Sequence, residues 1–434
     1  MPENNHSGIG KKSRILTPLL PFILITSLFF MWGLANNLTD TLLSAFRRIM
    51  SMSDFETAWI QIAFYGSYFC LALPAAIFIK RFTYQAGVLL GLAMYVIGAI
   101  LFYPASIVMH YGFFLAALFI LAGGLSILET ACNPYIIAMG DPKTATRRLN
   151  LAQSFNPIGS ISGVVISKFF ILSHLDIAGV EERAMMTPEQ LTSIQQAELS
   201  AVMGPYVTIG LLLLLLWVAI AITKMPKGSD ESPKIDLLPT LRRLFKNKNY
   251  VMGVIAQFFY VGAQICVWSF TIRYVMAELG LREAAAASYY IAALVVFTVF
   301  RFINTFLMKY FRPENLLILS AVLGVISTFM VITGGGYAGV YALVAISGFM
   351  SLMFPTIFGL ASKGLGQDTK IGSSGLIMAI GGGAVLPPLQ GYISDLTGNI
   401  GISFWVPLLC FVIIAIYGII SRKHNNVTVS QIAV

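Results

Sequence analysis

Charge is what this chain has least of. Only 11% of its 434 residues are Asp, Glu, Lys or Arg, against 57% hydrophobic, which excludes an ordinary soluble domain and reads as a polytopic membrane protein. Cysteine is scarce too: Cys70, Cys132, Cys266 and Cys410 lie inside apolar segments, with no C-x-x-C pair and no histidine near them. They read as buried small hydrophobes, with neither disulfides nor a metal implied. The four histidines, His6, His110, His174 and His424, sit in tails or at span edges. No G-x-x-x-x-G-K-[ST], H-E-x-x-H or G-x-S-x-G occurs, so ATP drive is unsupported and enzymatic chemistry has no visible constellation. The formal net charge is +9, but the basic residues lie in short loops between apolar runs. Membrane topology explains them better than nucleic acid does.

About twenty apolar residues cross the hydrocarbon core, and on that measure the chain reads as an all-α protein of twelve spans. The first six cover 19–46, 55–79, 84–104, 111–139, 149–173 and 204–223, and the second six 250–276, 283–308, 314–334, 337–362, 372–396 and 401–420. The predicted organisation is a tail 1–18, a six-helix bundle 19–223, a polar linker 224–249, a second six-helix bundle 250–421 and a tail 422–434. With the N-terminus taken as cytoplasmic, 21 of the 28 Lys and Arg fall on that side, so both termini are expected there. The first apolar stretch is too long for a signal h-region and lacks an Ala-x-Ala-like site, so it reads as a retained span. Asn133-Pro134-Tyr135-Ile136 and Phe354-Pro355-Thr356-Ile357 occupy matching places in the two halves. Pseudo-symmetric halves of this kind are the layout of parallel-repeat transporters, whose solute site lies near mid-membrane between them.

The scarce charge makes each buried carboxylate informative. Trp32-Gly33-Leu34-Ala35-Asn36-Asn37-Leu38-Thr39-Asp40 is a polar knot inside the first apolar segment. A carboxylate at that depth costs roughly 2.5 to 3.5 kcal/mol, so Asp40 is expected to face protein or a wet cavity. Trp32, Asn36 and Asp40 follow i, i+4 spacing and Asn37 lies three before Asp40, so all can share one helix face. Glu129, with Asn133 one turn on, places a second carboxylate in the fourth span. Two carboxylates at different depths suit a proton relay or a paired proton and solute site; for either alone, a hydrogen-bonded structural group is the alternative. Gln153 and Asn156 share a face of the fifth span, and Gln257, Gln264 and Trp268 fall at i, i+7 and i+11 of the seventh with Tyr260 between. Amides match vicinal hydroxyls and aromatic faces pack on sugar C–H groups. A neutral polyhydroxylated solute follows, against the plainer alternative of interhelix hydrogen bonds.

The remaining polar features read as structure. Arg301 in the eighth span is open between a carbonyl or carboxylate partner and a transport role, whereas Arg273 and Asp395 lie nearer span ends. Gly381-Gly382-Gly383 before Pro387-Pro388 predicts close helix packing and a bend. The loop 173–203 contains Thr187-Pro188-Glu189-Gln190, a capping box that predicts a short surface helix through about Leu199. Leu237–Lys248 is a basic amphipathic helix expected on the anionic inner leaflet, coupling the halves.

The stretches Ser27 to Trp32 and Asn36 to Asp40, then Leu128-Glu129-Thr130-Ala131 with Asn133-Pro134, resemble the fucose:proton symporter family of the major facilitator superfamily. Leu149 to Asn156, Tyr260-Val261-Gly262-Ala263-Gln264 and Leu365-Gly366-Gln367-Asp368-Thr369-Lys370 match it as well. The resemblance implies the major facilitator fold, alternating access and symport of L-fucose with a proton, in a bacterial-type inner membrane. It implies no cofactor beyond the co-transported proton, and a monomer. Asp40 matches the family's proton-binding carboxylate and Glu129 the one that links sugar binding to proton movement. Asn37, Gln153 and Asn156 match cavity amides, and Trp32 and Gln264 stand among the liners. Phe354 and Phe270 stand where the family pattern leads one to expect tyrosines, and Lys80-Arg81-Phe82-Thr83 lacks the Asp of the general superfamily loop. Relatives of similar pattern carry glucose, galactose or N-acetylglucosamine, and a sugar receptor or an enzyme on lipid-linked sugar are the readings from other classes.

Overall fold

Inside hydrocarbon every backbone N–H and C=O has to be bonded within the chain, so the apolar runs become helices. The computed structural model describes residues 17–49, 54–108, 110–166, 169, 186–226 and 236–432. The N-terminal tail to residue 16, the first part of the 173–203 loop and linker residues 227–235 lie outside the described residues. The helices are α1 (Leu19–Ile49), α2 (Asp54–Arg81), α3 (Tyr84–Val108), α4 (Tyr111–Ala138), α5 (Ala145–Gln153), α6 (Phe155–Ile166) and α7 (Pro188–Ile222). They continue as α8 (Leu237–Lys246), α9 (Lys248–Leu279), α10 (Glu283–Leu307), α11 (Pro313–Gly334), α12 (Gly336–Met350), α13 (Met353–Ala361), α14 (Thr369–Met378), α15 (Gly382–Thr397) and α16 (Trp405–Ile432). Ten described segments are long and apolar enough to cross a membrane, and Thr208–Ile222 is a shorter apolar one. The chain is a multi-pass membrane protein.

Local chemistry sets the ends. Thr187 and Gln190 form the expected capping box, their reciprocal bonds measuring 3.4 and 3.2 Å. The helix it starts does not stop near Leu199, however, but runs unbroken to Ile222. Gly204-Pro205 does not end it, because one proline removes a single N–H and a neighbouring helix can offset that loss. Asn247 caps α9 by accepting from Tyr250 N at 3.1 Å, and Gly280, at φ 62°, ends it in the left-handed conformation that glycine adopts freely. The expected linker helix is present as α8. Cys132, Cys266 and Cys410 are buried and free, but Cys70 is exposed on the outer side of α2, a correction to its expected burial.

Three expected spans are interrupted. The fifth divides at Ser154 into α5 and α6, the tenth at Ser351–Leu352 into α12 and α13, and the eleventh at the 3-10 turn Ala379–Gly381 into α14 and α15. The last is the bend expected from the glycine triplet. A Cβ on Gly382 would overlap the Phe258 carbonyl, so glycine is what lets α9 approach this break.

Contacts fall mainly into two groups, α1–α7 and α9–α16, with α2, α4 and α5 of the first meeting α13 and α14 of the second. In the first group α1 lies on α6 with no side-chain layer between them: Cβ atoms on Gly33 and Gly159 would overlap the Asn156 and Phe30 carbonyls. Gly159 and Gly163 form a G-x-x-x-G face, the small-residue pattern that permits such contact. Gly159→Ala is expected to lower thermal stability in detergent by about 1–3 kcal/mol through overpacking. Gly210→Ala in α7, where a Cβ meets nothing within 4 Å, should be neutral or stabilising by up to about 1 kcal/mol. Equal melting temperatures for the two variants would contradict this account.

The two groups close on each other at the end where Lys80, Lys143 and Lys370 gather. There Lys80 Nζ donates to Gln367 O at 3.1 Å, and Lys370 lies over the Tyr84 ring at 5.1 Å. Asn150 Nδ2 donates to Thr356 Oγ1 at 3.2 Å. Pro134 withholds the amide that would bond Thr130 O, and the Ser373 hydroxyl lies 3.3 Å from that carbonyl, across the divide. Arg243 of α8 grips Asp368 through two bonds of 2.7 and 2.8 Å, which fixes the linker helix to the turn that Lys80 touches.

Candidate functional site

Above this seal lies a cavity between the two groups, part of a continuous space of about 1830 Å³. Glu129, buried on α4, reaches it from the first group. Tyr68 Oη of α2 donates to Glu129 Oε1 at 3.1 Å. One turn on, Asn133 Nδ2 donates back to the Glu129 carbonyl at 3.1 Å, and Gln153 Nε2 of α5 donates to Asn133 Oδ1 at 2.7 Å. The chain of bonds then crosses to the second group, where Arg301 of α10 donates through Nη1 to Gln153 O at 3.1 Å. Arg301 Nε also takes Ser351 O at 2.6 Å, and the guanidinium lies 4.8 Å over the Phe297 ring.

Proline explains both carbonyls. Gln153 and Ser351 each lie four residues before a proline, Pro157 and Pro355, which has no N–H to offer them. The freed oxygens would be costly in an apolar interior, and one buried arginine satisfies both. Arg301 therefore takes the carbonyl partner that the sequence left open, while also lining the cavity.

Of the other expected site residues, Trp32, Asn37, Gln153, Asn156, Gln264 and Trp268 line the cavity. Trp32 stacks on Phe29 at 5.8 Å, and Asn156 Nδ2 donates to Phe29 O at 3.2 Å. Trp268 is held by its Nε1 on Ser347 Oγ at 3.3 Å and by Phe297, edge to face at 5.1 Å. Asn133 and Gln257 are not among the lining residues. Asn133 stands behind Glu129 as the link to Gln153. Gln257 is wholly buried, with neither amide atom hydrogen-bonded among the described residues. Asp40 belongs to α1, but its side chain lies outside the described residues. Phe354 lines the cavity and meets Tyr260 edge to face at 6.1 Å, whereas Phe270 carries the Arg273 guanidinium at 4.8 Å.

Sequence reasoning missed Tyr68. The second span contains several aromatic residues, and only a partner 61 positions away singles one out. Chemically the described residues of the site offer a buried carboxylate, a cluster of amide and phenol groups, and flat aromatic walls. It can hydrogen-bond vicinal hydroxyls from one side and pack on C–H groups from the other. Among the described residues no cluster of His, Cys, Asp and Glu could hold a metal ion.

Known proteins resemble this chain in sequence and in fold. An L-fucose-proton symporter of Haemophilus influenzae is 45% identical over 411 residues, covering 92% of this chain and 96% of that protein. An L-fucose-proton symporter of Escherichia coli is 40% identical, covering 92% of each. Glucose/galactose transporters of Brucella abortus are 35% identical, covering 92% of this chain and 93% of theirs. The crystal structure of the E. coli fucose:proton symporter FucP in the outward conformation superposes with a TM-score of 0.89 at 39% identity, covering 93% of this chain and 99% of that one. The family profile of the Major Facilitator Superfamily matches residues 22–381. A match over most of the length, on top of the shared helical arrangement, places the chain in the Major Facilitator Superfamily.

Proposed function

We propose that the protein imports L-fucose together with a proton by alternating access across a bacterial-type inner membrane. The observation that carries this reading is a buried carboxylate, Glu129, hydrogen-bonded by Tyr68 and facing a cavity shared by both helix groups, in a chain 40–45% identical to L-fucose-proton symporters. The interrupted run α5–α6 and the Thr208–Ile222 stretch complete twelve spans in two six-helix halves, 19–223 and 250–421, joined by the linker 224–249. The basic end is cytoplasmic, as are the tails 1–18 and 422–434 and both termini. The state described is then open outward and sealed inward, and the carrier works as a monomer.

In this reading Asp40 binds the proton and Glu129 couples sugar binding to its movement. Trp32, Asn37, Gln153, Asn156, Gln264 and Trp268 contact the sugar. Asn133 positions Gln153 relative to Glu129, and Gln257 stands below the sugar rather than against it. Protonation of the carboxylates removes charge that would otherwise cross a low dielectric, so the loaded carrier can reorient. The test is external pH in lightly buffered, energy-depleted cells expressing the chain. Adding L-fucose should alkalinise the medium, and galactose, glucose and N-acetylglucosamine should not. Silence with fucose and a response to glucose or galactose would move the substrate to that of the 35% identical relatives. No response to any sugar, with the protein in the membrane, would remove proton symport.

A further inference from the structure

The lining of the central cavity does not end at the seal. It continues as a groove down the outer side of the molecule, between Phe69 and Leu73 of α2 and Val251 and Val254 of α9, with Ile371 and Met378 of α14 as its floor. At its foot stand Leu241 and Phe245 of α8. The combined space, about 1830 Å³, is well above the roughly 300–1,000 Å³ of an ordinary small-molecule site. The lower groove is apolar and open at its rims, where Phe69 is 57% and Phe245 75% exposed.

The foot has a fixed orientation. Arg243 binds Asp368 and Thr240 is buried beside them, so this face of α8 is held against the turn before α14. Leu241, Leu244 and Phe245 then line the foot of the groove, with Arg242 and Lys246, four residues apart, on the neighbouring face of α8. Both basic side chains are exposed, and no ion pair joins either to a carboxylate among the described residues. An apolar channel ending beside two exposed cations is complementary to one class of molecule, an acyl chain with an anionic head.

We propose that this groove binds one anionic phospholipid, its acyl chain along α14 between α2 and α9 and its phosphate on Arg242 and Lys246. Lipid tails alone give no preference here, because the bilayer is as apolar as the groove. Selectivity comes from the headgroup charge meeting the two cations. The walls belong to different helix groups, α2 to one and α9 with α14 to the other. A lipid seated between them binds the arrangement sealed at the basic end, and its differential affinity shifts the population toward that state.

The test is native mass spectrometry of the full chain in detergent, titrated with phosphatidylglycerol or with phosphatidylcholine of the same acyl chains. One phosphatidylglycerol should be retained, roughly thirtyfold more tightly than phosphatidylcholine and than by Arg242→Gln/Lys246→Gln. Val254→Trp, which fills the groove and leaves both cations in place, should also weaken retention. Equal retention of the two lipids, or phosphatidylglycerol binding unchanged in both variants, would overturn the site in favour of ordinary annular lipid. Loss with the charge variant but not with Val254→Trp would overturn the groove and leave only a charged surface.

Discussion

An Asp40→Asn carrier is expected to exchange L-fucose between the two sides of the membrane while failing to accumulate it. The amide keeps the size and hydrogen-bonding of a protonated carboxyl, so the loaded form can still reorient, but it has no proton to release. One charge driven through 100 mV gains about 2.3 kcal/mol, which sets roughly fifty-fold accumulation before any pH gradient is added. The variant should lose all of it, with counterflow of labelled sugar preserved. Uphill uptake by Asp40→Asn, measured in vesicles with an imposed potential, would remove Asp40 from the coupling role.

Replacement of Glu129 by alanine should act on binding itself. The carboxylate is buried and held by Tyr68 Oη at 3.1 Å, while the backbone carbonyl of Glu129 is joined through Asn133 to Gln153. Hydrogen bonds to a charged group are worth about 1.5–3 kcal/mol each, so loss of one to the sugar should weaken affinity about 10- to 150-fold. Tyr68→Phe keeps the carboxylate and removes only its anchor, and should shift affinity less. Titration of purified protein with L-fucose, followed by tryptophan fluorescence, distinguishes the two. Unchanged affinity in Glu129→Ala with an intact fold would make Glu129 a structural group.

The spans were legible because about twenty apolar residues have few other fates, and buried polar residues were legible because burial is costly to them. That logic found Glu129, Gln153 and Arg301, all buried. It could not say which way a helix turns: Gln257, Gln264 and Trp268 share a nominal face, yet only Gln264 and Trp268 line the cavity. Nor could it say where a helix breaks. The fifth and tenth spans look continuous in composition, and their interruptions depend on Pro157 and Pro355 meeting one arginine from another helix. Gly366-Gln367-Asp368-Thr369-Lys370 stood out only through resemblance. Its local reasons are a carbonyl for Lys80, a carboxylate for Arg243 and an ammonium over Tyr84, all separated by long stretches of chain.

Arg301 binds one peptide oxygen in each helix group, and neither oxygen has an amide of its own helix to return to. In an alternating-access cycle that parts the groups at this level, the Gln153 bond must open and re-form once per turnover. Between those moments the guanidinium and the carbonyl can be satisfied only by water or by solute. The height of the kinetic barrier is thus tied to hydration of a single peptide group, and a solute that bridges the gap would speed the passage of the loaded carrier relative to the empty one.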